Sequence, residues 1–252
     1  MNRRLVAAIA CRNQGSRLYG KPIQNLDVER GIRIIDNVVA CLKTLDCIDE
    51  IVLGISEGSE NDVFRAIAKE KNLRYVVGDQ IDVLSRLVQC GQLANATDIF
   101  RVTSESPFLY FDAVDDLWRR HQEERADATF MDDVIDGCGF EIITQKALEK
   151  SHVNGEIKHR SELCSLFIRE HHELFKIIRP EPAIEVVRKD LRLTVDNPED
   201  LAVCRIVYGA FKELAPRIPV TEVVKFLDAS PKLIELIAPY TDIGYSTMYI
   251  KR

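Results

Sequence analysis

A cationic loop near the N-terminus has the composition of a phosphate site. Arg12, Arg17 and Lys21 lie within ten residues of one another, and Gly15 and Gly20 loosen the backbone between them. Cations beside exposed backbone N–H groups suit a phosphate, although an ordinary charged surface loop can look the same. The loop has no Gly-Lys-Ser/Thr and no Gly-x-Gly-x-x-Gly, so it matches neither a P-loop nor a dinucleotide fingerprint.

Two carboxylates follow apolar, strand-like runs. Glu105 follows the run 98–103 in the segment "DIFRVTSESP", and Asp196 follows the run 191–195, "LRLTV". Mg²⁺ prefers oxygen ligands and keeps several waters, so two such carboxylates could hold one ion beside a nucleotide triphosphate. Two alternatives stay open, because Asp196 could be the N-cap of a helix and Glu105 a solvated loop acid.

The elements that must position these residues alternate regularly in the first half of the chain. Continuous apolar runs predict strands buried on both faces, and runs with a helical period predict amphipathic helices between them. This alternation predicts βαβ units and a mostly parallel sheet, whose ligands lie beyond the carboxyl ends of the strands. The predicted strands are 4–11, 50–56, 73–78 and 98–103, and the predicted helices are 31–45, 60–72, 81–96 and 111–124.

The second half of the sequence is less regular. A turn at "DGCG" separates two of its strands, and Asp196 or Asn197, Pro198 and the acids that follow mark the start of a helix. A polar-aromatic tail, 240–252, closes the chain. The predicted strands are 126–134, 139–144, 176–180 and 191–195, and the predicted helices are 160–175, 196–214, 219–228 and 230–238.

Composition excludes several classes of protein. Because 46% of the residues are hydrophobic, the chain can bury a sizeable core, and its net charge of −6 argues against a nucleic-acid partner. The seven cysteines are scattered without a Cys-x-x-Cys pair, and the five histidines have no metal-binding spacing. No run is long enough for a transmembrane helix, and the N-terminal run is a strand rather than a signal peptide. We therefore expect a reduced, cytoplasmic protein without a membrane partner.

Five segments, in order, resemble the cytidylyltransferases that activate sugar acids and related compounds. The opening loop is similar to the family's Ala-Arg-x-Gly-Ser-x-Arg-Leu-Pro-Gly-Lys, and the spore-coat polysaccharide branch of the family matches best. The matches cover about residues 4 to 210. The segments are "ACRNQGSRLYGKPI", "GDQIDVLSRLVQ", "FRVTSESPFLYFDAVDDL", "GCGFEIITQKAL" and "LRLTVDNPEDLAVCRIVY".

The resemblance implies a three-layer, Rossmann-like nucleotidyltransferase fold, similar to glycosyltransferase A, with a mixed, mostly parallel sheet. It implies one domain over 1–252, with an acceptor and dimerisation insertion at about 127–190 and C-terminal helices and a tail at 215–252. It also implies Mg²⁺-dependent transfer of CMP from CTP to a small anionic sugar or polyol acceptor, with release of pyrophosphate, by a homodimer. Rossmann-type dehydrogenase activity is disfavoured, since the glycine fingerprint is absent.

The resemblance assigns roles to residues by their positions in the matched motifs. The three cations of the first loop would bind the triphosphate and the leaving pyrophosphate, and residues of the later segments would bind the acceptor and the metal. The assignments are Arg12, Arg17 and Lys21 as catalytic; Cys11, Asn13, Gly15, Asp82 and Arg86 for the nucleotide; Arg101, Glu141 and Tyr110 for the acceptor; and Glu105 and Asp196 for Mg²⁺.

The sequence departs from the family at several of these positions. Gln14 and Gly15 replace the Gly-Ser pair, Tyr19 replaces a proline, and Tyr110 replaces an aspartate. Glu105 stands where the family has its first metal aspartate, and its extra methylene could disturb a strict octahedral site. Two alternatives therefore remain: a nucleotide-binding homologue with weak or lost catalysis, and a transferase that uses GTP.

Overall fold

The computed structural model describes residues 3–15 and 17–248, with only the backbone for 242–248. Seven strands form a mixed sheet in the order β5-β4-β1-β6-β8-β7-β9, and β2 and β3 form a separate hairpin. The strands are Leu5–Cys11 (β1), Asn25–Asp27 (β2), Ile32–Arg33 (β3), Glu50–Ser56 (β4), Arg74–Gly78 (β5), Asp98–Thr103 (β6), Ala128–Met131 (β7), Phe140–Thr144 (β8) and Ile177–Ile178 (β9).

Helices cover both faces of the sheet. Alternate residues of β1 point to opposite sides, so that Leu5, Ala7 and Ile9 join one apolar core while Val6 and Ala8 join the other. The predicted three-layer α/β architecture is confirmed. The helices are Ile34–Leu42 (α1), Asp62–Glu70 (α2), Val83–Ala94 (α3), Val114–Glu123 (α4), Gln145–Asn154 (α5), Leu166–Glu170 (α6), Pro198–Phe211 (α7), Val220–Asp228 (α8) and Pro231–Met248 (α9).

The direction of the strands divides the sheet into two parts. β5, β4, β1 and β6 are parallel, as the βαβ alternation predicted, so their carboxyl ends meet at one edge. β8 runs antiparallel to β6, and β7 antiparallel to β8. The strands of the expected insertion, 127–190, therefore extend the main sheet.

The predicted strand 191–195 is wrong. The segment is buried, which explains its apolar pattern, but its ladder is reduced to an isolated bridge between Asp136 and Arg192. Its backbone donors are used elsewhere, since the Leu193 N–H donates to the Asp136 carbonyl (2.7 Å) and the Val195 N–H to the Glu105 carbonyl (3.1 Å). The segment therefore packs between two turns and is not part of the sheet.

Helix boundaries also differ from the prediction in the second half. The expected helix 160–175 is reduced to the five residues of α6. Helix α5, which we did not predict, begins at Thr144, whose hydroxyl accepts the Ala147 N–H at 3.1 Å. Helix α9 continues through Pro239 to Met248 where we expected a tail, and 249–252 lie outside the described residues. No helix in the described chain has the length and apolar character that a membrane crossing requires.

Candidate active site

The parallel pairing of β1 with β6 brings two of the candidate segments together. Ala10 lies opposite Thr103, so both strands end at the same edge of the sheet. The cationic loop leaves β1 at this edge, and the turn that carries Glu105 leaves β6 beside it. The topology therefore produces the neighbourhood that the sequence predicted.

A cleft with two adjoining lobes opens over this edge. The loop lobe, about 360 Å³, is lined by the cationic loop, including Arg12, Gly15 and Lys21, and by the start of α3. The turn lobe, about 400 Å³, is lined by the end of β6 and by residues 131–141, the turn from β7 to β8. Both predicted metal carboxylates lie on the wall that the lobes share, which consists of Arg17, Arg101, Val102, Thr103, Glu105, Glu162 and Asp196.

Asp196 is surrounded by cations. Its Oδ1 accepts from Lys21 Nζ at 2.5 Å and lies 3.2 Å from the Arg17 guanidinium, and its Oδ2 accepts from Arg192. Burial by itself would raise the pKa of this carboxyl, but Lys21, Arg192 and Arg17 hold it below its ordinary value. Asp196 is therefore ionised at neutral pH and faces the shared wall.

The helix start resolves the alternative role for Asp196. The N-cap of α7 is Asn197, and the Asp200 carboxylate accepts the backbone N–H groups of Asp196 (2.9 Å) and Asn197 (2.8 Å). These contacts satisfy the first donors of the helix. The Asp196 side chain takes no part in this cap and is available to the cleft.

Backbone contacts fix the position of Glu105. Its carbonyl accepts the Val195 N–H at 3.1 Å, which ties its turn to the segment that ends at Asp196. The next residue reinforces the tie, because Ser106 Oγ donates to Thr194 Oγ1 at 3.0 Å. The Glu105 carboxylate accepts from Ser104 Oγ (3.0 Å) and lines both lobes.

The remaining cation of the first loop, Arg12, lines the loop lobe. Its guanidinium pairs with the carboxylate of Glu162, which lies on the shared wall. All three predicted catalytic cations therefore line the loop lobe, and each already has a carboxylate partner.

Two predicted nucleotide residues line the loop lobe. Gly15 lies in its wall, and Arg86 extends from α3 into it. Arg86 is only 1% exposed, and its Nη1 donates to the carbonyls of Cys11 (3.2 Å) and Gly54 (3.0 Å). Cys11 itself is buried in the core and lies outside the lining.

Asn13 and Asp82 do not line the loop lobe either. The Asn13 N–H donates to Asn61 Oδ1 at 2.8 Å, which anchors the first loop to the loop before α2. Asp82 is the N-cap of α3, and its other oxygen is held by His152 (2.8 Å) and Arg160 (3.2 Å). In the structure both residues hold elements in place beside the cleft.

Arg101 and Glu141, two residues that the resemblance assigns to the acceptor, contact each other in the turn lobe. Arg101 Nη1 donates to one Glu141 oxygen at 2.9 Å, while Ser165 Oγ (2.6 Å) and Arg169 Nη2 (2.7 Å) donate to the other. Burial opposes ionisation of Glu141, but Arg101 and Arg169 lower its pKa to about 2. Glu141 is thus a fixed anion in the wall of the turn lobe.

Tyr110 lies apart from the other predicted acceptor residues. It is buried in the larger apolar core, its N–H donates to the Cys138 carbonyl at 2.9 Å, and it lines neither lobe. Its neighbours Phe108 and Phe111 are buried in the same core. The substitution of the family's aspartate by Tyr110 thus adds to the core.

Arg192 is a central residue that we did not single out from the sequence. It is 2% exposed and donates to Asp196, to Asp136 Oδ2 (2.7 Å) and to Asp200 Oδ1 (3.2 Å). The sequence did indicate Arg192, because it lies four residues before Asp196 in the last of the matched segments. Asp136, Arg169 and Glu162 were also missed, because only the fold brings them to the cleft.

The shared wall suits a hard divalent cation. Its potential ligands are the carboxylates of Glu105, Asp196 and Glu162 and the hydroxyl of Thr103, and none of its described residues is a cysteine or histidine. Oxygen donors alone favour Mg²⁺ over Zn²⁺. Glu105 and Asp196 are the residues that would hold the ion.

A second cluster of possible metal ligands is already satisfied internally. His159, Glu170 and His171 lie within 4.8 Å of one another. The Glu156 N–H donates to His159 Nδ1 (2.8 Å), which leaves the ring proton on Nε2, where it bonds Glu170 at 2.7 Å. That nitrogen has no free lone pair for a metal.

Comparison with known proteins supports the predicted relationship. No family model matches the chain. The spore coat polysaccharide biosynthesis protein SpsF of Bacillus subtilis is 24% identical over 88% of this chain and 93% of its own. An uncharacterized protein of Methanocaldococcus jannaschii is 23% identical over 91% of this chain and 93% of its own.

Solved structures share the fold. A cytidylyltransferase from Leptospira borgpetersenii superposes with a TM-score of 0.82, at 21% identity, over 92% of this chain and 97% of its own. A CMP:2-keto-3-deoxy-manno-octonic acid synthetase in complex with CTP gives 0.62, at 14% identity, over 82% and 99%. The likeness to cytidylyltransferases that the motifs predicted is confirmed, and the chain has the nucleotidyltransferase fold.

Removal of the Glu141 charge should destabilise the protein, because Arg101 would lose its buried partner. We expect Glu141→Gln to lower the free energy of unfolding at pH 7 by about 3 to 5 kcal/mol. The pKa of Glu141 is lower in the folded than in the unfolded protein, so the difference should be complete above about pH 4.5 and shrink as the pH falls towards 2. Urea titrations between pH 2 and 7 measure it.

The matched control is Glu70→Gln, which removes an exposed partner of Arg33 and Lys71. We expect that variant to lose less than about 1 kcal/mol. Equal losses for the two variants would show that Glu141 is not an essential buried anion.

Proposed function

We propose that the protein is a Mg²⁺-dependent nucleotidyltransferase that transfers CMP from CTP to a sugar acid, sugar phosphate or polyol phosphate. The observation that supports this most directly is the shared wall, where two carboxylates on tied segments meet the cations of the first loop. Such a wall suits a reaction that joins a nucleotide in one lobe to an acceptor in the other. Pyrophosphate is the second product.

Arg12, Arg17 and Lys21 bind the triphosphate in this proposal. Arg17 and Lys21 are held by Asp196 and Arg12 by Glu162, so each cation changes partner when phosphates enter the loop lobe. The three cations then stabilise the charge that develops on the leaving pyrophosphate. Glu105 and Asp196 hold Mg²⁺, which when bound polarises the phosphoryl group and neutralises charge.

The nucleotide and the biological role follow from relatives. One structural neighbour is a synthetase of a CMP-linked sugar acid in complex with CTP, and SpsF is a protein of spore coat polysaccharide biosynthesis. By analogy we assign CTP as the donor and surface polysaccharide or glycoconjugate precursors as the products, in the cytoplasm. GTP is the alternative donor.

A catalytically weak nucleotide-binding homologue is the second candidate function. Glu105, which replaces the family's aspartate, is the observation that favours it. Against it stand the ties from Glu105 and Ser106 to the Asp196 segment, which keep both carboxylates on one wall.

Paired variants at the start of α7 test the proposed metal site. Asp196→Asn should abolish pyrophosphate release and the Mg²⁺-dependent thermal shift with CTP, because a neutral amide is a poor ligand. Asn197→Ala, the control, should lose about 1 kcal/mol of stability as a cap is removed and should keep the shift. Calorimetric or dye-based melting with CTP, GTP, UTP and ATP, with and without Mg²⁺, provides both readouts.

The result that contradicts the proposal is a wild-type protein whose melting temperature no nucleotide changes in the presence of Mg²⁺. A shift with CTP but no pyrophosphate release with any acceptor would support the non-catalytic candidate. A larger thermal shift with GTP than with CTP would indicate that GTP is the nucleotide donor.

The length of the Glu105 side chain gives a second test. We expect Glu105→Asp to keep the Mg²⁺-dependent shift, since the charge remains and the backbone is fixed by Val195. Glu105→Gln should lose the shift and nearly all pyrophosphate release. If Glu105→Gln retains both the Mg²⁺-dependent shift and pyrophosphate release, Glu105 is not a ligand in the proposed metal site.

We also propose a homodimer through residues 127–190. In that segment Val153, Ile157 and Ile184 are 78%, 83% and 78% exposed, which is unusual for such apolar side chains. Sedimentation velocity at micromolar concentration should show a dimer, and Ile157→Asp should weaken it. A wild-type monomer under these conditions would contradict the proposal.

A further inference from the structure

Asp136 is a carboxylate of the turn lobe for which the proposed reaction has no role so far. It is 4% exposed and lies in the turn between β7 and β8. Its carbonyl accepts the Leu193 N–H at 2.7 Å, and a Cβ at the next residue, Gly137 (φ +95°), would lie 2.5 Å from the Thr194 nitrogen. The backbone that carries Asp136 is therefore fixed against the Asp196 segment.

The other carboxylates of the turn lobe are paired with cations or assigned to the proposed metal site. Both Asp132 oxygens accept from Arg169, at 2.6 and 2.9 Å, and Glu141 accepts three hydrogen bonds. Glu162 pairs with Arg12 on the exposed side of the cleft. With Glu105 and Asp196 assigned to the metal, Asp136 is the remaining acid.

Among the described side chains, one donates a hydrogen bond to the Asp136 carboxylate, and the basicity of this carboxylate suits proton transfer. Arg192 Nη1 bonds its Oδ2 at 2.7 Å. Burial raises the pKa of Asp136 to about 6, against the effect of Arg192 and with support from the charges of Asp196, Asp200 and Glu105. A carboxylate with this pKa is ionised at neutral pH and is a stronger base than an ordinary aspartate.

The arginines of the turn lobe leave little positive charge for a phosphate acceptor. Arg101 is paired with Glu141, Arg169 with Asp132 and Glu141, and Arg192 with three aspartates. Arg17 is 46% exposed and pairs with Asp196, at 3.2 Å, on the shared wall, and the proposed reaction assigns it to the triphosphate. A phosphate dianion deep in this lobe would face Asp136 without an unpaired arginine among the described lining residues.

We propose that Asp136 accepts the proton of an acceptor hydroxyl, so that the substrates are sugar acids or polyols that react through a hydroxyl. This inference rests on the proposed nucleotidyl transfer. The hydroxyl oxygen forms a bond to the α-phosphorus of the nucleotide, the bond from that phosphorus to the bridging oxygen breaks, and pyrophosphate leaves with the electron pair. The hydroxyl proton passes to Asp136.

Two sets of acceptors test the chemistry. One set consists of sugar acids and polyols that offer only hydroxyl groups, and the other of sugar phosphates and polyol phosphates. We expect pyrophosphate release with the first set and a product with a single phosphodiester signal by ³¹P NMR. Turnover confined to the phosphate set, with the paired signals of a diphosphate, would overturn the inference and leave the proposed function intact. No release with either set and no nucleotide binding would overturn both.

The variant Asp136→Asn tests the residue. We expect its turnover to fall by a factor of about 100 or more, the usual contribution of a general base, while the thermal shift with Mg²⁺ and CTP stays unchanged. The control is Asp132→Asn, which lines the same lobe and should reduce turnover far less. Turnover of Asp136→Asn within about threefold of the wild type would overturn the role.

The pH dependence of the wild type decides the matter if Asp136→Asn does not fold. Burial and the charges of Asp196, Asp200 and Glu105 raise the pKa of Asp136 to about 6, and Arg192 opposes this shift. Turnover should therefore fall as the pH drops through about 6, with nucleotide binding retained. Turnover that is constant from pH 7.5 to 5 would contradict proton transfer to Asp136.

Discussion

The hydrogen bond from the Val195 N–H to the Glu105 carbonyl is the constraint on which the cleft depends. It joins two segments that are ninety residues apart and carry the two carboxylates of the shared wall. The Ser106–Thr194 contact lies beside it and limits rotation of one segment against the other. Because the ends of both segments are buried, these bonds form in a medium where their loss would be costly. The two segments that carry the carboxylates are thereby held together before any ligand binds.

Arg192 extends this constraint into the interior. A buried guanidinium must be paired, and three aspartates surround this one: Asp136, Asp196 and Asp200. Asp200 in turn holds the first backbone donors of α7. The start of the helix, the turn between β7 and β8 and the metal carboxylate are thus parts of one buried network.

The charges of the cleft are balanced without a ligand. Lys21 and Arg17 form ion pairs with Asp196, and Arg12 forms one with Glu162. Arg101 and Arg169 form ion pairs with Glu141. The pairs of the loop lobe are partly exposed and can exchange partners at little cost, whereas those of the turn lobe are buried and permanent. This difference separates a lobe that can receive phosphates from a lobe that recognises its substrate with fixed polar groups.

The sequence by itself determined the parallel half of the sheet, the cationic loop and the two carboxylates. Strong periodicity and contiguous motifs encode these features locally, and β1 and β6 needed only a parallel pairing to bring Arg12 and Glu105 together. The irregular path of 191–195 and the burial of Tyr110 were decided by tertiary contacts. Apolar patterning indicates that a segment is buried, but it does not determine which backbone carbonyls will accept hydrogen bonds from the N–H groups of that segment. Glu162, Arg169 and Asp136 reach the cleft for the same reason, since their roles arise from partners distant in the chain.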